Sequence, residues 1–103
     1  MKKDKIIGST EWSNPVKYSQ ITRIVFIETR DENDIVYEYS RRWQTKSGTG
    51  NEDNELDKCF WGHYYNCSNE FERKIALKEA EDDYINTVKS NKHFFNECKP
   101  WGI

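Results

Sequence analysis

The sequence predicts a single α+β domain over residues 1–103, in which a small antiparallel sheet of three to four strands carries one long helix from the C-terminal half. Two segments rich in β-branched and aromatic residues, separated by a short polar turn, predict a pair of antiparallel strands. A later run of helix-forming residues contains no glycine or proline and predicts the helix. A chain of 103 residues is long enough to form one hydrophobic core.

The two central strands are predicted at residues 20–29 and 35–43. The first segment has apolar side chains on both faces, which is typical of a strand that is covered on both sides. The second segment alternates with a period of two residues, so one face is mainly aromatic and the other is mainly polar. The predicted aromatic face consists of Ile35, Tyr37, Tyr39, Arg41 and Trp43, and the opposite face consists of Val36, Glu38, Ser40 and Arg42.

Further strands are expected on either side of this pair. Residues 59–67 carry mostly aromatic rings and predict a third strand. Residues 5–12 can form an earlier strand, which Asn14 and Pro15 would end because proline pushes the preceding residue out of helical geometry. Residues 44–58 contain two glycines and no aromatic residue, and they predict a flexible, solvated loop.

The helix is predicted over residues 70–89. Asn69 followed by Glu72 has the form of a capping box, and Ser68 is a competing cap. Apolar residues at steps of four form a stripe that can lie on the sheet, and its small alanines would allow a close approach. The predicted stripe consists of Ala76, Ala80, Tyr84 and Val88, with Leu77 beside it.

The helix also carries apolar surface outside that stripe. The residues concerned are Phe71, Ile75 and Ile85. We expect this second apolar side to be covered either by the C-terminal segment, which contains Phe94, Phe95 and Trp101, or by a partner chain. The sequence leaves these two alternatives open.

Charge and cysteine content limit the function classes. Sixteen basic and 18 acidic residues give a formal net charge of −2, too close to neutral for a dedicated duplex-binding protein and too mild for a mimic of DNA. The basic residues 1–5 are not followed by an apolar run long enough for a signal peptide or a membrane span. We therefore expect a cytoplasmic protein. Three cysteines cannot all pair within one chain, and we expect no structural disulfide.

One interpretation of the cysteines and histidines of the chain is a zinc site. These residues are Cys59, His63, Cys67, His93 and Cys98. Their spacing differs from the closely spaced cysteine pairs of structural zinc sites. On a strand, Cys59 and Cys67 would lie about 26 Å apart, too far to share one ion. The pattern therefore favours thiols packed as small core residues, without metal or cofactor, although the sequence leaves metal binding open.

Aromatic residues are abundant for so small a chain. There are four tryptophans, six tyrosines and five phenylalanines, against only two leucines, Leu56 and Leu77. Rings fill cores, but they are also enriched at binding surfaces. The sequence therefore predicts a non-enzymatic protein that binds a partner macromolecule, most simply another protein, through an aromatic and charged surface. The predicted binding residues are Tyr37, Tyr39, Arg41, Arg42, Trp43, Trp61, His63 and Tyr65, with Arg41 and Trp43 expected to be the most exposed pair.

The nature of the partner is suggested by charge and by composition. The acidic residues 51–57 would steer toward a basic partner, for instance an enzyme that handles nucleic acid. The small size and the bias toward lysine, asparagine, isoleucine and tyrosine resemble accessory proteins of bacteriophages and mobile elements. This resemblance is compositional, and it implies binding and inhibition of one host macromolecule. A homo-oligomer is also compatible with the sequence.

Two other functions are considered. The rings of Tyr37, Tyr39 and Trp43, with Arg41, Arg42 and Lys46 nearby, would suit single-stranded nucleic acid. His63, which is followed by two tyrosines, would be the general acid or base of an enzyme. The carboxylates at residues 31–34, 52–55 and 81–83 are expected on solvated turns, loops and helix faces.

Overall fold

A computed structural model describes residues 3–12, 22–45 and 59–91, with the side chains of all of these except Thr45, Cys59, Phe60 and Trp61. Within these ranges the chain forms a four-stranded antiparallel sheet, with one helix packed on it. The elements are β1 (Lys3–Ser9), β2 (Thr22–Arg30), β3 (Val36–Thr45), β4 (Cys59–Asn66) and α1 (Glu70–Ser90). The strands lie in the sheet in the order β1-β2-β3-β4, so the predicted α+β architecture is confirmed.

The strand boundaries differ from the predicted ones by up to three residues, most at β1, which is Lys3–Ser9 instead of residues 5–12. At β3 the difference brings a buried residue into the sheet. This strand continues through Gln44 and Thr45, which the sequence assigns to the loop. Gln44 belongs to the sheet because it is fully buried and its Oε1 accepts a hydrogen bond of 2.7 Å from Nε of Arg23 on β2. The rest of the predicted loop, residues 46–58, lies outside the described residues.

An extra residue in β3 changes which side chains reach the core. Thr29 pairs with Glu38, whereas the next residue of β2, Arg30, pairs with Val36, so Tyr37 is bulged. The alternation reverses there, and Val36 packs in the core while Ile35 is exposed. The prediction that Ile35 shares a face with Tyr39, with Val36 on the opposite face, is therefore wrong, because the bulge shifts the register.

The predicted start of the helix is confirmed. Asn69 is the N-cap, and its Oδ1 accepts a hydrogen bond of 2.8 Å from the backbone N–H of Glu72. The Glu72 carboxylate accepts in turn from the backbone N–H of Ser68 at 2.9 Å and from the Ser68 hydroxyl. The reciprocal bond of the capping box thus reaches one residue further back than usual, and both serine and asparagine contribute to the cap.

The predicted stripe is also confirmed, and it forms one side of the core. Ala76, Ala80, Tyr84 and Val88 are the buried residues of α1. Tyr84 stacks on Phe26 of β2 with ring centroids 5.7 Å apart. On the other face of the sheet, residues of β2 are fully buried as well, so this strand is covered on both faces, as predicted. In the described part of the chain, no helix is long and apolar enough to cross a membrane.

β4 approaches β3 so closely that only glycine fits at one position. A Cβ atom built on Gly62 would lie 2.3 Å from the backbone oxygen of Arg41 and 2.9 Å from the Cα atom of Arg42. Both are backbone atoms of β3, so neither can move without displacing the strand. Gly62 is therefore required for the pairing of β4.

Replacing Gly62 with alanine should destabilise the protein. The added methyl group must push β4 away from β3, and overpacking of this kind costs about 1–3 kcal/mol. Chemical denaturation followed by tryptophan fluorescence would measure the change in the free energy of unfolding. Asn66→Ala alters an exposed side chain of the same strand and serves as the control, and equal stability of the two variants would contradict the steric argument.

Candidate functional site

The predicted binding residues of β3 and β4 are divided between the core and the surface. Tyr39 and Arg41 are buried, and Trp43 and Tyr65 pack partly buried against the core. Arg41 is only 6% exposed, so the prediction that Arg41 belongs to the most exposed pair is wrong. Tyr37 lies at the bulge and is partly buried, and nothing is described of the Trp61 side chain.

Arg41 is buried because the helix supplies a carboxylate for it. Arg41 Nε donates to Oδ1 of Asp83 at 3.1 Å, and the Tyr65 hydroxyl donates to Oδ2 of the same carboxylate at 2.7 Å. The Thr87 hydroxyl donates to Asp83 Oδ1 at 3.1 Å. The Asp83 side chain is only 13% exposed, so the expectation of a solvated acid at this position is wrong. Asp83 thus joins α1 to both β3 and β4.

The network sets the ionisation of its members. Burial by itself would raise the pKa of Asp83, but the hydrogen bond from Tyr65 and the positive charge of Arg41 together lower the pKa below its usual value. Burial and the hydrogen bond to the Asp83 carboxylate raise the pKa of Tyr65 to about 12. Asp83 is therefore an anion and Tyr65 a neutral hydrogen-bond donor at neutral pH.

His63 lies at the outer edge of this network. Its Nδ1 atom is 3.4 Å from Oδ2 of Asp83, and its side chain is 68% exposed. A protonated imidazole would form an ion pair there, but the charge of the carboxylate is already compensated by Arg41. The arrangement holds the imidazole at the surface of the sheet, and its own contacts identify no reaction.

Arg42 points to the opposite face of the sheet and is held there by several groups. Its guanidinium lies over the ring of Tyr64, 5.0 Å from the ring centroid. It also forms ion pairs with Asp4 at 3.7 Å and with Glu38 at 3.6 Å. Arg41 and Arg42 therefore do not form one basic patch, because they lie on opposite faces with separate acidic partners.

The predicted thiol and histidine group is only partly described. The Cys67 thiol is buried and donates to the backbone oxygen of Val36 at 3.8 Å, and its burial raises its pKa. The side chain of Cys59 and the residues His93 and Cys98 lie outside the described part of the chain. Among the residues that are described, no three His, Cys, Asp or Glu side chains are grouped to hold a metal ion.

A groove between β4 and α1 contains Ile75, one of the apolar side chains that the core leaves exposed. Its volume is about 400 Å³. It is lined by Tyr64, Tyr65, Asn66, Glu72, Ile75, Ala76 and Glu79. Phe71 lies one helical turn before Ile75 on the same side of α1, so it extends the apolar surface beyond the groove. Tyr64 and Asn66 contribute the edge of β4 to this groove, while the Tyr64 ring lies on the opposite face of the sheet, under Arg42. We call the surface formed by Phe71, Ile75, Glu72 and Glu79, together with the edge of β4 at Tyr64 and Asn66, the β4–α1 surface.

A second groove, of about 420 Å³, lies at the other side of α1. Its charged lining residues are Glu28, Arg30, Asp34, Glu70, Arg73 and Lys74. Arg30 Nε donates to Glu28 at 2.8 Å, and the Arg30 guanidinium also lies 3.9 Å from the carboxylate of Asp34. The charges of this groove are balanced, so it does not select a charged ligand.

Comparison with protein-family models, with curated proteins and with solved structures finds no match to this chain. Function is therefore argued from the geometry of the described residues.

Sequence reasoning missed the residues that the structure makes most informative. Asp83 lies seven residues after Ala76, which places it beside the buried stripe, and this spacing is the signal that could have identified it. The sequence identifies Phe71 and Ile75 as apolar surface of the helix, but it does not place them beside β4.

Replacing Asp83 with asparagine should destabilise the protein by about 2 kcal/mol at neutral pH, because Arg41 would keep its charge in a partly desolvated site without a compensating anion. A group whose pKa is lowered by folding contributes stability above its unfolded pKa of about 4 and loses it as the pH falls through the folded value. The difference between wild type and Asp83→Asn should therefore shrink below about pH 4. Denaturation curves from pH 7 to pH 2.5 would measure it.

The neighbouring Asp82 provides the control for this experiment. Asp82 is exposed and pairs with Lys78 at 3.2 Å on the helix surface. Asp82→Asn should change stability by about 0.5 kcal/mol or less, since exposed pairs contribute little. Equal losses in the two variants would mean that the Arg41 contact has no special weight.

Replacing Tyr65 with phenylalanine should remove a charge-assisted hydrogen bond and cost about 1.5–3 kcal/mol at neutral pH. Because folding raises the pKa of Tyr65, its hydroxyl stabilises the fold below the unfolded pKa of about 10, and this contribution is lost as the pH rises through the folded pKa. The effect of the substitution is therefore present in full at pH 7. The ultraviolet titration of wild type minus Tyr65→Phe should have its midpoint at about 12.

Tyr64→Phe is the matched control, because Tyr64 is the adjacent tyrosine and is largely exposed. Its free energy of unfolding should stay within about 0.5 kcal/mol of the wild-type value. A Tyr65→Phe variant as stable as Tyr64→Phe would show that the hydroxyl is not needed at Asp83.

Proposed function

We propose that this chain is a protein-binding domain that contacts its partner through the β4–α1 surface. The proposal keeps the function class predicted from the sequence, but it moves the main contacts. Phe71 and Ile75 replace the buried residues Tyr39 and Arg41 as the principal contact residues. His63 and Tyr65 stay at the border of this surface.

The observation that carries the proposal is the exposure of large apolar side chains that are neighbours. Phe71 is 74% exposed and Ile75 45%. They are four residues apart on α1, and Ile75 lines the groove beside the edge of β4, so the two form one apolar surface next to that edge. A contiguous apolar surface of this kind is typical of a binding site, whereas singly scattered apolar residues are ordinary.

The charge of the surface supports a basic partner. Among the described residues, the groove is lined by two carboxylates, Glu72 and Glu79, and by no lysine or arginine. Carboxylates around an apolar centre favour a partner that presents lysine or arginine at the rim of the interface. This agrees with the basic partner that the sequence suggests from residues 51–57, which lie outside the described part of the chain.

The same features favour protein over single-stranded nucleic acid. The stacking platform considered for nucleic acid includes Tyr39 and Arg41, and both are buried under α1. Phosphates would also be repelled by Glu72 and Glu79 in the groove. Inhibition of the bound partner, the absence of enzymatic activity and a cytoplasmic location remain predictions of the sequence.

The double substitution of Phe71 and Ile75 with serine should abolish binding without loss of the fold. Both side chains are exposed, so their removal takes little buried area from the core, whereas it removes the apolar centre of the proposed interface. Immobilised wild-type and variant proteins, incubated with lysate of cells that encode this chain, would show which protein is retained by wild type alone. Calorimetry with that protein, once purified, should give a Kd at least tenfold weaker for the variant.

Leu77→Ser is the matched control. Leu77 is also an exposed apolar residue of α1, but it lines the second groove. The Leu77→Ser variant should bind the same partner with wild-type affinity. If Leu77→Ser loses binding and the double variant retains it, the interface lies on the other side of the helix. If wild type forms concentration-dependent dimers and the double variant does not, the surface is a self-association site.

A further inference from the structure

The two outer strands of the sheet differ in how they are protected against pairing. β1 carries two exposed lysines, Lys3 and Lys5, and its register shifts between Ile6 and Gly8. Lysines and bulges on an edge strand are the features that prevent another strand from adding to it. The β1 edge is therefore blocked.

β4 has an open edge over residues 62–66. These residues pair with residues 38–42 of β3 in unbroken register. They include no lysine and no proline, and the described residues contain no strand on the outer side of β4. His63, Tyr64 and Asn66 are exposed, so their side chains are not covered.

The backbone groups that point outward can be assigned from one hydrogen bond. The N–H of Cys67 donates to the backbone oxygen of Tyr37 at 2.9 Å, in the register that pairs Tyr65 with Tyr39. In an antiparallel ladder, every second residue directs both its N–H and its C=O toward the neighbouring strand. Residues 63, 65 and 67 therefore bond to β3, and Gly62, Tyr64 and Asn66 direct their N–H and C=O groups away from the sheet.

The open edge and the β4–α1 groove are continuous. Tyr64 and Asn66 line the groove, and Glu72, Ile75 and Glu79 form its opposite wall. A strand added to β4 would have one row of side chains on the helix side of the sheet, beside Ile75 and the two carboxylates. Lysine or arginine side chains in that row would be complementary to Glu72 and Glu79.

A second copy of the chain fits this edge poorly. Pairing of β4 with β4 of another copy would bring a second set of the same two carboxylates, Glu72 and Glu79, to the same side of the joined sheet. Like charges facing each other across a strand pair are destabilising. The charge of the groove thus selects a different occupant.

We infer that an extended segment of the partner protein, with lysine or arginine at alternate positions, adds to the outer edge of β4 as a fifth strand. Its backbone bonds to Tyr64 and Asn66, and its basic side chains face Glu72 and Glu79. Main-chain pairing provides affinity in this mode, and alternate side chains provide specificity. The inference rests on the proposed function, because it specifies how the β4–α1 surface binds its partner.

The test uses an eight-residue peptide of alternating lysine and valine as the probe. It is compared with the same peptide N-methylated at every amide, which keeps the charge but removes the backbone donors, and with a peptide that has glutamate in place of lysine. Binding to the full chain should be at least tenfold weaker for both comparison peptides. Saturation with the lysine peptide should slow hydrogen exchange of the Tyr64 and Asn66 amides at least tenfold and leave the β1 amides unchanged.

Two variants of the protein provide an independent measurement. Asn66→Pro removes one outward N–H without removing a bond to β3, and it should weaken binding of the lysine peptide at least fivefold. Glu79→Lys should weaken it at least tenfold, whereas the matched change Asp82→Lys, on the solvent side of α1, should change it less than twofold. Thermal melts of the variants would separate these effects from loss of the fold.

Three results would overturn the inference. The first is no binding of the lysine peptide. The second is equal binding of the N-methylated peptide, which would mean that the contact does not involve the strand backbone. The third is protection of the Tyr64 and Asn66 amides that increases with protein concentration in the absence of peptide, which would mean that a second copy occupies the edge. The proposed function is judged separately, by loss of the natural partner in the Phe71 and Ile75 double variant.

Discussion

The close packing of α1 on β2 and β3 is the constraint on which the rest of the structure depends. The stripe on α1 begins with two alanines, Ala76 and Ala80, which bring the helix near the sheet. Tyr84 then stacks on Phe26, and Tyr39 packs against the same ring at 6.2 Å. With a core made of rings and small residues, the inner faces of β3 and β4 are used for packing. Only side chains at the margin of the helix and on the outer strand remain for contact with other molecules.

The Arg41–Asp83 pair gives this packing a definite orientation. A buried ion pair contributes little net stability compared with apolar residues of the same size, because both charges lose their hydration. Its members cannot be separated without leaving an uncompensated charge, however. Tyr65 donates to the second oxygen of the carboxylate, and Thr87 donates to the oxygen that Arg41 also contacts. The pair therefore fixes the position of α1 along β3 and β4. That position also sets the width of the groove between Ile75 and the edge of β4.

Two exposed apolar side chains of α1, Phe71 and Ile75, lie beside the open edge of the sheet, whereas Ile35 and Leu77 line the second groove. β1 has charged residues and a bulge, and β2 and β3 are internal strands. Over residues 62–66, beyond a register shift at Trp61, β4 combines a regular register with outward backbone groups and exposed side chains. Since unpaired strand edges readily bind other strands, an edge without protection next to an apolar groove is consistent with a surface retained for binding. The carboxylates beside it restrict which segment can occupy it.

The sequence by itself determined the parts of the protein that depend on local patterns. Helix capping at Asn69, the stripe from Ala76 to Val88 and the two central strands follow from spacing, since neighbours along the chain dictate them. Only the tertiary structure decided the rest. The bulge at Tyr37 depends on pairing with β2, and it places Val36 in the core and leaves Ile35 exposed. Arg41 and Asp83 are 42 residues apart, so the sequence predicts each of them to be solvated. Only the packing of the helix on the sheet brings the two charges together. The division of the rings between interior and surface likewise depends on which side of β4 the helix covers, and no local pattern specifies that.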